Sequence, residues 1–275
     1  MTTLVYQAYG PDDIIDQTLF SVVSLFSVVK TASAFSVWIY TDQKKRFAEF
    51  FGDWVGGPAA RIYLVGIDSS QLQKWRGAID FVHRVKIEIL RDAGEKFDGP
   101  LYYADGDTYF RGDPTEKFRL VNDVTSLMHV AEKRLSLGRD WLSMNLAAFL
   151  ERNLFTVGGV QVHVPPETIM WNAGVLGLSH KNKSLFQPVL ELTDQIYSRC
   201  PLHVMEQLAF SHYLQTSTNV VACDDVIGHY WNQKDEFQAV IDHFFARNSN
   251  WPQAQKAYSS FQPPTSSLRA GEGRE

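Results

Sequence analysis

The chain has 275 residues, 45% of them hydrophobic and 13% aromatic, enough to bury a sizeable core, so wholesale disorder is excluded. Its 26 basic and 31 acidic residues are interspersed and sum to a formal charge of −5, which leaves no field of one sign to hold a nucleic-acid backbone. Two cysteines, Cys200 and Cys223, are too few for a disulfide framework and too far apart for a CxxC motif, so a reducing, cytoplasmic setting is expected.

The start, "MTTLVYQAYGPDD", lacks the basic opening and apolar run of a signal peptide and reads as a strand over residues 3–9 entering a loop. The longest apolar run, "IIDQTLFSVVSLFSVV" (14–29), is shorter than the roughly 20 residues that span a bilayer and is interrupted by Asp16, Gln17 and serines. It predicts a buried helix. No transmembrane segment is expected, and peripheral membrane contact stays open. "FSVWIYTD" predicts a second strand, followed by a short helix over 43–51 and a break at "GDWVGGP". "RIYLVGI" predicts a third strand, with Ser69 or Ser70 as N-cap of the next helix. Over 79–93, Phe81, Val85, Ile89 and Leu90 fall at helical spacing, with His83, Arg84, Lys86 and Glu88 on the polar face.

"LYYAD" (101–105) predicts a fourth strand, nearly all apolar or aromatic up to Asp105, as in a strand buried on both faces. This alternation is the signature of βαβ units on a mostly parallel sheet. Asp105 and Asp107 then lie at the carboxyl edge of an interior strand, where open α/β sheets bind ligands. Further on, "SLMHVAEK" predicts a strand, "WLSMNLAAFLERN" a helix, and "VGGVQVHVPP" a glycine-led strand or hairpin. "TIMWNAGVLGLSH" reads as one strand with small residues at its centre. Helices over 183–200 and 203–215 follow, then "VVACDDVIGHYWNQK" as a strand opening into a polar, aromatic loop. No repeat or linker forces a division. A single domain over 1–262 is expected, with a flexible tail over 263–275.

The stretch "YADGDTYF" admits several readings. Asp-Gly is a common type I′ hairpin turn. A calcium loop is excluded, because Tyr109 and Phe110 stand where an oxygen ligand and a glycine are required. A haloacid-dehalogenase-type phosphatase, with Asp105 as nucleophile and Asp107 as acid/base, stays open; Asp224 and Asp225 would supply its later acidic pair. The remaining reading is the D-x-D of a nucleotide-sugar transferase. A diphosphate leaves a closed site only if its charge is neutralised, and carboxylate oxygens suit Mn²⁺ or Mg²⁺. In extended backbone the side chains at i and i+2 point the same way, so both acids can reach one ion. Gly106 between them leaves room for ribose and diphosphate at the backbone.

Taken in order, these segments resemble the GT-A glycosyltransferases, and among them glycosyltransferase family eight, the glycogenin and bacterial galactosyltransferase group. "VYQAYG" and "VWIYTD" resemble its first two strands, "FVHRVKIEIL" its basic helix, "LYYADGDTYFRGDP" its metal motif, "WNAGVLGLS" its sugar-contacting segment, and "MEQLAFSHYL" the start of its next helix. The resemblance spans residues 4–232. It implies a GT-A fold: a mostly parallel central sheet flanked by helices, with a small second sheet near the D-x-D. It further implies a nucleotide-binding half over 1–107 and an acceptor half over 108–262, a UDP-sugar donor, retention of configuration and a small-molecule or glycan acceptor; the oligomeric state stays open.

The same resemblance places Asp105 and Asp107 on the metal, with His229 as third ligand. Tyr9, Asp42 and Lys86 would face the nucleotide, and Lys234 the diphosphate. Asn172, with Ala173 and Gly174 allowing close approach, would bind the sugar, and Glu206 and Gln207 the acceptor or reacting sugar. Trp231 with Tyr230 would cover the nucleotide or stack on a sugar, unless they only staple a loop. One of Lys86 and Arg84 would point to the phosphate or brace Asp105, the other being a solvated surface charge. The chain departs from the family at "GHYWNQKDEF", where histidine, glycine and then lysine-proline-tryptophan are the rule. A non-catalytic sugar-binding member of the fold therefore stays a second alternative.

Overall fold

In the computed structural model, residues 1–264 are described; the expected tail over 263–275 falls outside them but for its first two residues. The first half runs β1 (Thr2–Ala8), α1 (Asp12–Val28), β2 (Phe35–Thr41), α2 (Lys44–Phe51), β3 (Ile62–Gly66), α3 (Ser69–Arg76), α4 (Arg84–Lys96), β4 (Leu101–Ala104) and β5 (Thr108–Phe110). Then come α5 (Thr115–Phe118), β6 (Thr125–Met128), β7 (Ala131–Arg134), α6 (Trp141–Glu151), β8 (Phe155–Val157), β9 (Val160–Val162), β10 (Ile169–Trp171) and β11 (Val175–Leu178). The chain continues through α7 (Phe186–Arg199), α8 (Met205–Ser217), β12 (Asn219–Ala222), β13 (Ile227–His229), α9 (Lys234–Arg247) and α10 (Trp251–Tyr258).

The central sheet has the order β12-β6-β11-β4-β1-β2-β3. All its pairings are parallel except those of β11, which runs antiparallel to β4 and β6. The two-residue period of β1 divides the core. Leu4, Tyr6 and Ala8 face a layer that includes α1, α9 and α10, whereas Val5 faces one that includes α4, α6, α7 and α8. Helix α1 begins with Asp12 and Asp13, which complement the helix dipole, and it is buried from Gln17 to Phe26 on every side. Among the described residues no helix is long and apolar enough to cross a membrane.

Several expectations change, each for a local reason. Asp68, not Ser69 or Ser70, caps α3, accepting from the Gln71 N–H at 2.8 Å. The helix predicted from residue 79 starts at Arg84, because 79–83 are spent on turns closed by the Phe81 N–H to Arg76 oxygen bond. "SLMHVAEK" divides into β6 and β7. "TIMWNAGVLGLSH" divides into β10 and β11 at Asn172–Gly174, and "VVACDDVIGHYWNQK" into β12 and β13 with Lys234 opening α9. Asp105-Gly106 is no hairpin turn, since β5 pairs with β13 and not with β4.

Candidate active site

β4 ends at Ala104, and the turn that follows is tied down on both sides. The Asp105 N–H donates to the Gly174 oxygen at 2.8 Å, and Thr108 Oγ1 donates to the Asp105 oxygen at 2.8 Å. The antiparallel pair β5–β13 sets His229 opposite Thr108, next to Asp107. The short second sheet is thus what carries a histidine, distant in sequence, to the acidic turn. Ligand atoms of Asp105, Asp107 and His229 lie within 4.8 Å of one another.

Asn172 decides how His229 is presented. Its Oδ1 accepts the Gly174 N–H at 2.9 Å and its Nδ2 donates to Glu132 Oε1 at 3.0 Å, so the amide orientation is set by groups other than the histidine. The same Oδ1 lies 2.8 Å from His229 Nδ1, which must therefore carry a proton and leave Nε2 as the coordinating nitrogen. Nε2 faces Asp107 Oδ1 at 3.1 Å. Two carboxylates and an imidazole lone pair converging on one point are short of positive charge, and this donor set fits Mn²⁺ or Mg²⁺. Gly174 makes room for the ring: a Cβ there would stand 2.3 Å from its Cε1 and Nδ1.

Two lysines reinforce the acids. Lys86, 3% exposed, donates to Asp105 Oδ2 at 3.2 Å, the Ala173 oxygen at 3.2 Å and Glu206 Oε1 at 2.8 Å. Burial works to lower its pKa, but Asp105 and Glu206 outweigh that and raise it, so it stays charged. Lys234 reaches Asp107 Oδ2 at 3.0 Å. Burial alone would raise the Asp107 pKa; His229, when its ring carries both protons, and Lys234 hold it well below the usual carboxylate range. Tyr103 donates to Asp105 Oδ1 at 2.5 Å.

A cavity of about 510 Å³ joins these groups. It is lined by Tyr9, Lys86, Asp105, Gly106, Asp107, Asn172, Ala173, Gly174, Glu206, Gln207, His229, Trp231 and Lys234. Asp42 falls outside this lining, as do Tyr230 and Arg84; it borders a separate shallow depression, its carboxylate accepting the Gly10 N–H at 3.2 Å. Gly106 also has a steric reason to be small, because a Cβ would meet Thr18 Oγ1 of α1 at 2.6 Å. Arg84 is no solvated charge: its side chain is 11% exposed and clamps Asp194 at 2.7 Å and Glu88 at 2.8 Å. Tyr230 is the loop staple, stacked on Phe237 with centroids 4.0 Å apart, while Trp231 stands half-exposed in the lining.

Sequence reading missed Gln7, Glu132, His83 and His203, which also line the cavity. Glu132 bridges Asn172 to Gln207, whose Nε2 donates to it at 2.9 Å. On an exposed edge strand it looked like any surface acid. Gln7 was findable: a polar side chain amid an apolar strand needs a partner, and its Oε1 is buried with none.

No protein-family model matches the sequence, and no curated protein matches it. Solved structures do. The galactosyltransferase LgtC, solved with donor and acceptor sugar analogs, aligns with a TM-score of 0.51 at 12% identity, over 80% of this chain and 73% of its own. The glycosyltransferase GlyE of Streptococcus pneumoniae TIGR4 aligns with a TM-score of 0.50 at 14% identity, over 89% of this chain; the match spans about half of GlyE, 51%. Mouse xyloside xylosyltransferase 1 aligns with a TM-score of 0.46 at 11% identity, over 81% of this chain and 84% of its own. The chain has the GT-A fold.

Proposed function

We propose that this protein is a metal-dependent glycosyltransferase that moves a sugar from a nucleotide-diphosphate donor, a UDP-sugar, to the hydroxyl of an acceptor. The observation that carries the reading is the convergence of Asp105, Asp107 and the Asn172-oriented His229 in one cavity at the carboxyl edge of the sheet. These residues would hold Mn²⁺ or Mg²⁺, and such an ion supplies the positive charge that lets a diphosphate depart. Retention of configuration rests on the resemblance to family eight.

The chain's own groups divide the remaining work. Lys86 locks Asp105 and Glu206 in place, so neither carboxylate drifts when the site fills. Lys234, more than half exposed, is free to turn from Asp107 to a diphosphate oxygen. Gln7 near the end of β1 and Tyr9 just past it stand where the nucleotide would lie. Gln207, held by Glu132, faces the sugars with Asn172, although both ends of the Asn172 amide are already engaged by protein.

The phosphatase alternative loses its later acidic pair. Asp224 and Asp225 lie outside the cavity lining, and Asp225 pairs with Lys117 at 2.9 Å. The test is thermal denaturation with a panel of nucleotides and nucleotide sugars, with and without Mn²⁺. Uridine diphosphate and UDP-sugars should raise the melting temperature only with the metal, and Asp107→Ala should abolish the effect. Stabilisation by no nucleoside diphosphate, or one indifferent to Asp107→Ala, overturns the reading. Tight UDP binding with neither hydrolysis nor transfer would instead mark a binding protein.

A further inference from the structure

Part of the cavity lining is aliphatic: Leu135 after β7, Leu142 and Leu146 on α6, Met170 on β10 and Val204 before α8, of which Leu135, Leu146 and Met170 share one core cluster with Val204 packed against it. The polar side chains in this wall are already committed. Ser143 Oγ and Lys133 Nζ both donate to Asp140 Oδ2, at 2.8 and 2.7 Å, and His203 stands exposed at the rim. Sugar hydroxyls seated here would lose water and gain no partner, which is costly.

The apolar surface continues outside. Leu137, Trp141 and Met144 are 74%, 70% and 59% exposed. Trp141 and Met144 lie on the open flank of the helix whose Leu142 and Leu146 face the cavity. An ordinary surface helix keeps that flank polar. Trp141 and Met144 are about 5 Å apart along the helix axis at 1.5 Å per residue, and Leu137 precedes them.

We propose that this part of the cavity takes a hydrocarbon chain of the acceptor, which leaves the protein over Leu137, Trp141 and Met144. The acceptor is then an amphiphile: a hydroxyl-bearing head beside Glu132 and Gln207, and an alkyl tail along α6. The assignment rests on the transferase reading only in naming the occupant as acceptor. The aliphatic wall and its outward continuation are independent of that reading.

The test compares methyl, octyl and phenyl β-glucosides, below micellar concentration, for binding to the protein saturated with UDP and Mn²⁺, by calorimetry. Octyl glucoside should bind at least about tenfold tighter than the methyl glycoside, since each buried methylene adds to affinity. Leu142→Gln, at a partly exposed position, should remove that preference while keeping the melting temperature. Trp141→Ala should weaken a dodecyl chain more than an octyl one. Leu154→Ser, exposed and apart from the cavity lining, should change nothing. Equal binding of methyl and octyl glucosides, a preference that survives Leu142→Gln, or phenyl glucoside matching octyl would overturn the proposal. If UDP and Mn²⁺ fail to bind but the chain preference holds, the transferase reading falls and the apolar site stands; the reverse result sinks the tail site alone.

Discussion

Asn172 Oδ1 stands 2.8 Å from His229 Nδ1, and this contact sets which nitrogen His229 turns toward Asp107. Without it the imidazole is free to change tautomer and to swing. Asn172→Ala should therefore leave the fold intact while raising the Mn²⁺ concentration needed for UDP-dependent stabilisation by about 10–100-fold, the usual effect of losing a ligand's orienting partner. Asn172→Asp, which keeps the acceptor oxygen, should cost less. A Mn²⁺ titration of the UDP-induced shift in melting temperature reads both, and equal midpoints for wild type and Asn172→Ala would refute the orienting role.

Gly174 makes a sharper version of the same point, because its effect is steric. An added Cβ would lie 2.3 Å from the His229 ring and 2.9 Å from Asn172 Oδ1. Gly174→Ala should displace the imidazole and mimic His229→Ala in metal dependence, with an overpacking cost of about 1–3 kcal/mol. Gly112, where a Cβ meets nothing within 4 Å, is the control. Urea denaturation and the Mn²⁺ titration together check the pair.

These two positions show what sequence could and could not reveal. The strand-and-helix order was legible because β1, β2 and β4 are largely buried on both faces and so are mostly apolar or aromatic. The acidic pair was legible because it follows such a strand. The breaks at Asn172–Gly174 and at 223–226 were not, since apolar residues on both sides mask a backbone that must bend to bring His229 to Asp107. The support from Glu132 was equally hidden: it comes from a short strand whose residues are all exposed. Asp42 was overread, because the end of a second strand marks the sheet edge but not which part of it is hollow.

Acid should weaken the fold through His212, a histidine outside the cavity lining. Burial chiefly, with repulsion from His163, holds the His212 pKa down at about 4 from the usual 6.5. The unfolded chain then takes up the proton first as pH falls. Stability is full above about pH 6.5, declines toward pH 4 and levels off below. His212→Gln removes this titration, so its urea midpoint should fall less steeply between pH 7 and 4 than that of the wild type. Parallel slopes would show that His212 does not titrate as its burial implies.

Lys86 ties β4, α4 and α8 together, and its loss tests whether the trio is needed for stability as well as for the site. The ammonium bridges Asp105 and Glu206, and Glu206 is only 4% exposed, so neither lysine nor glutamate is solvated in the fold. Lys86→Met removes the counter-charge and strands the Glu206 carboxylate, an arrangement that costs about 3–5 kcal/mol. Lys86→Met/Glu206→Leu removes the stranded charge along with its partner, and apolar groups of similar size replace a buried pair at little cost. The single variant should lower the urea midpoint strongly and the double variant recover most of the loss. Neither should regain metal-dependent UDP stabilisation in full, because Asp105 has lost the ammonium that held it. A single variant as stable as wild type would show that Glu206 finds water or a proton when Lys86 is gone, and that the buried charge pair is not what fastens these elements.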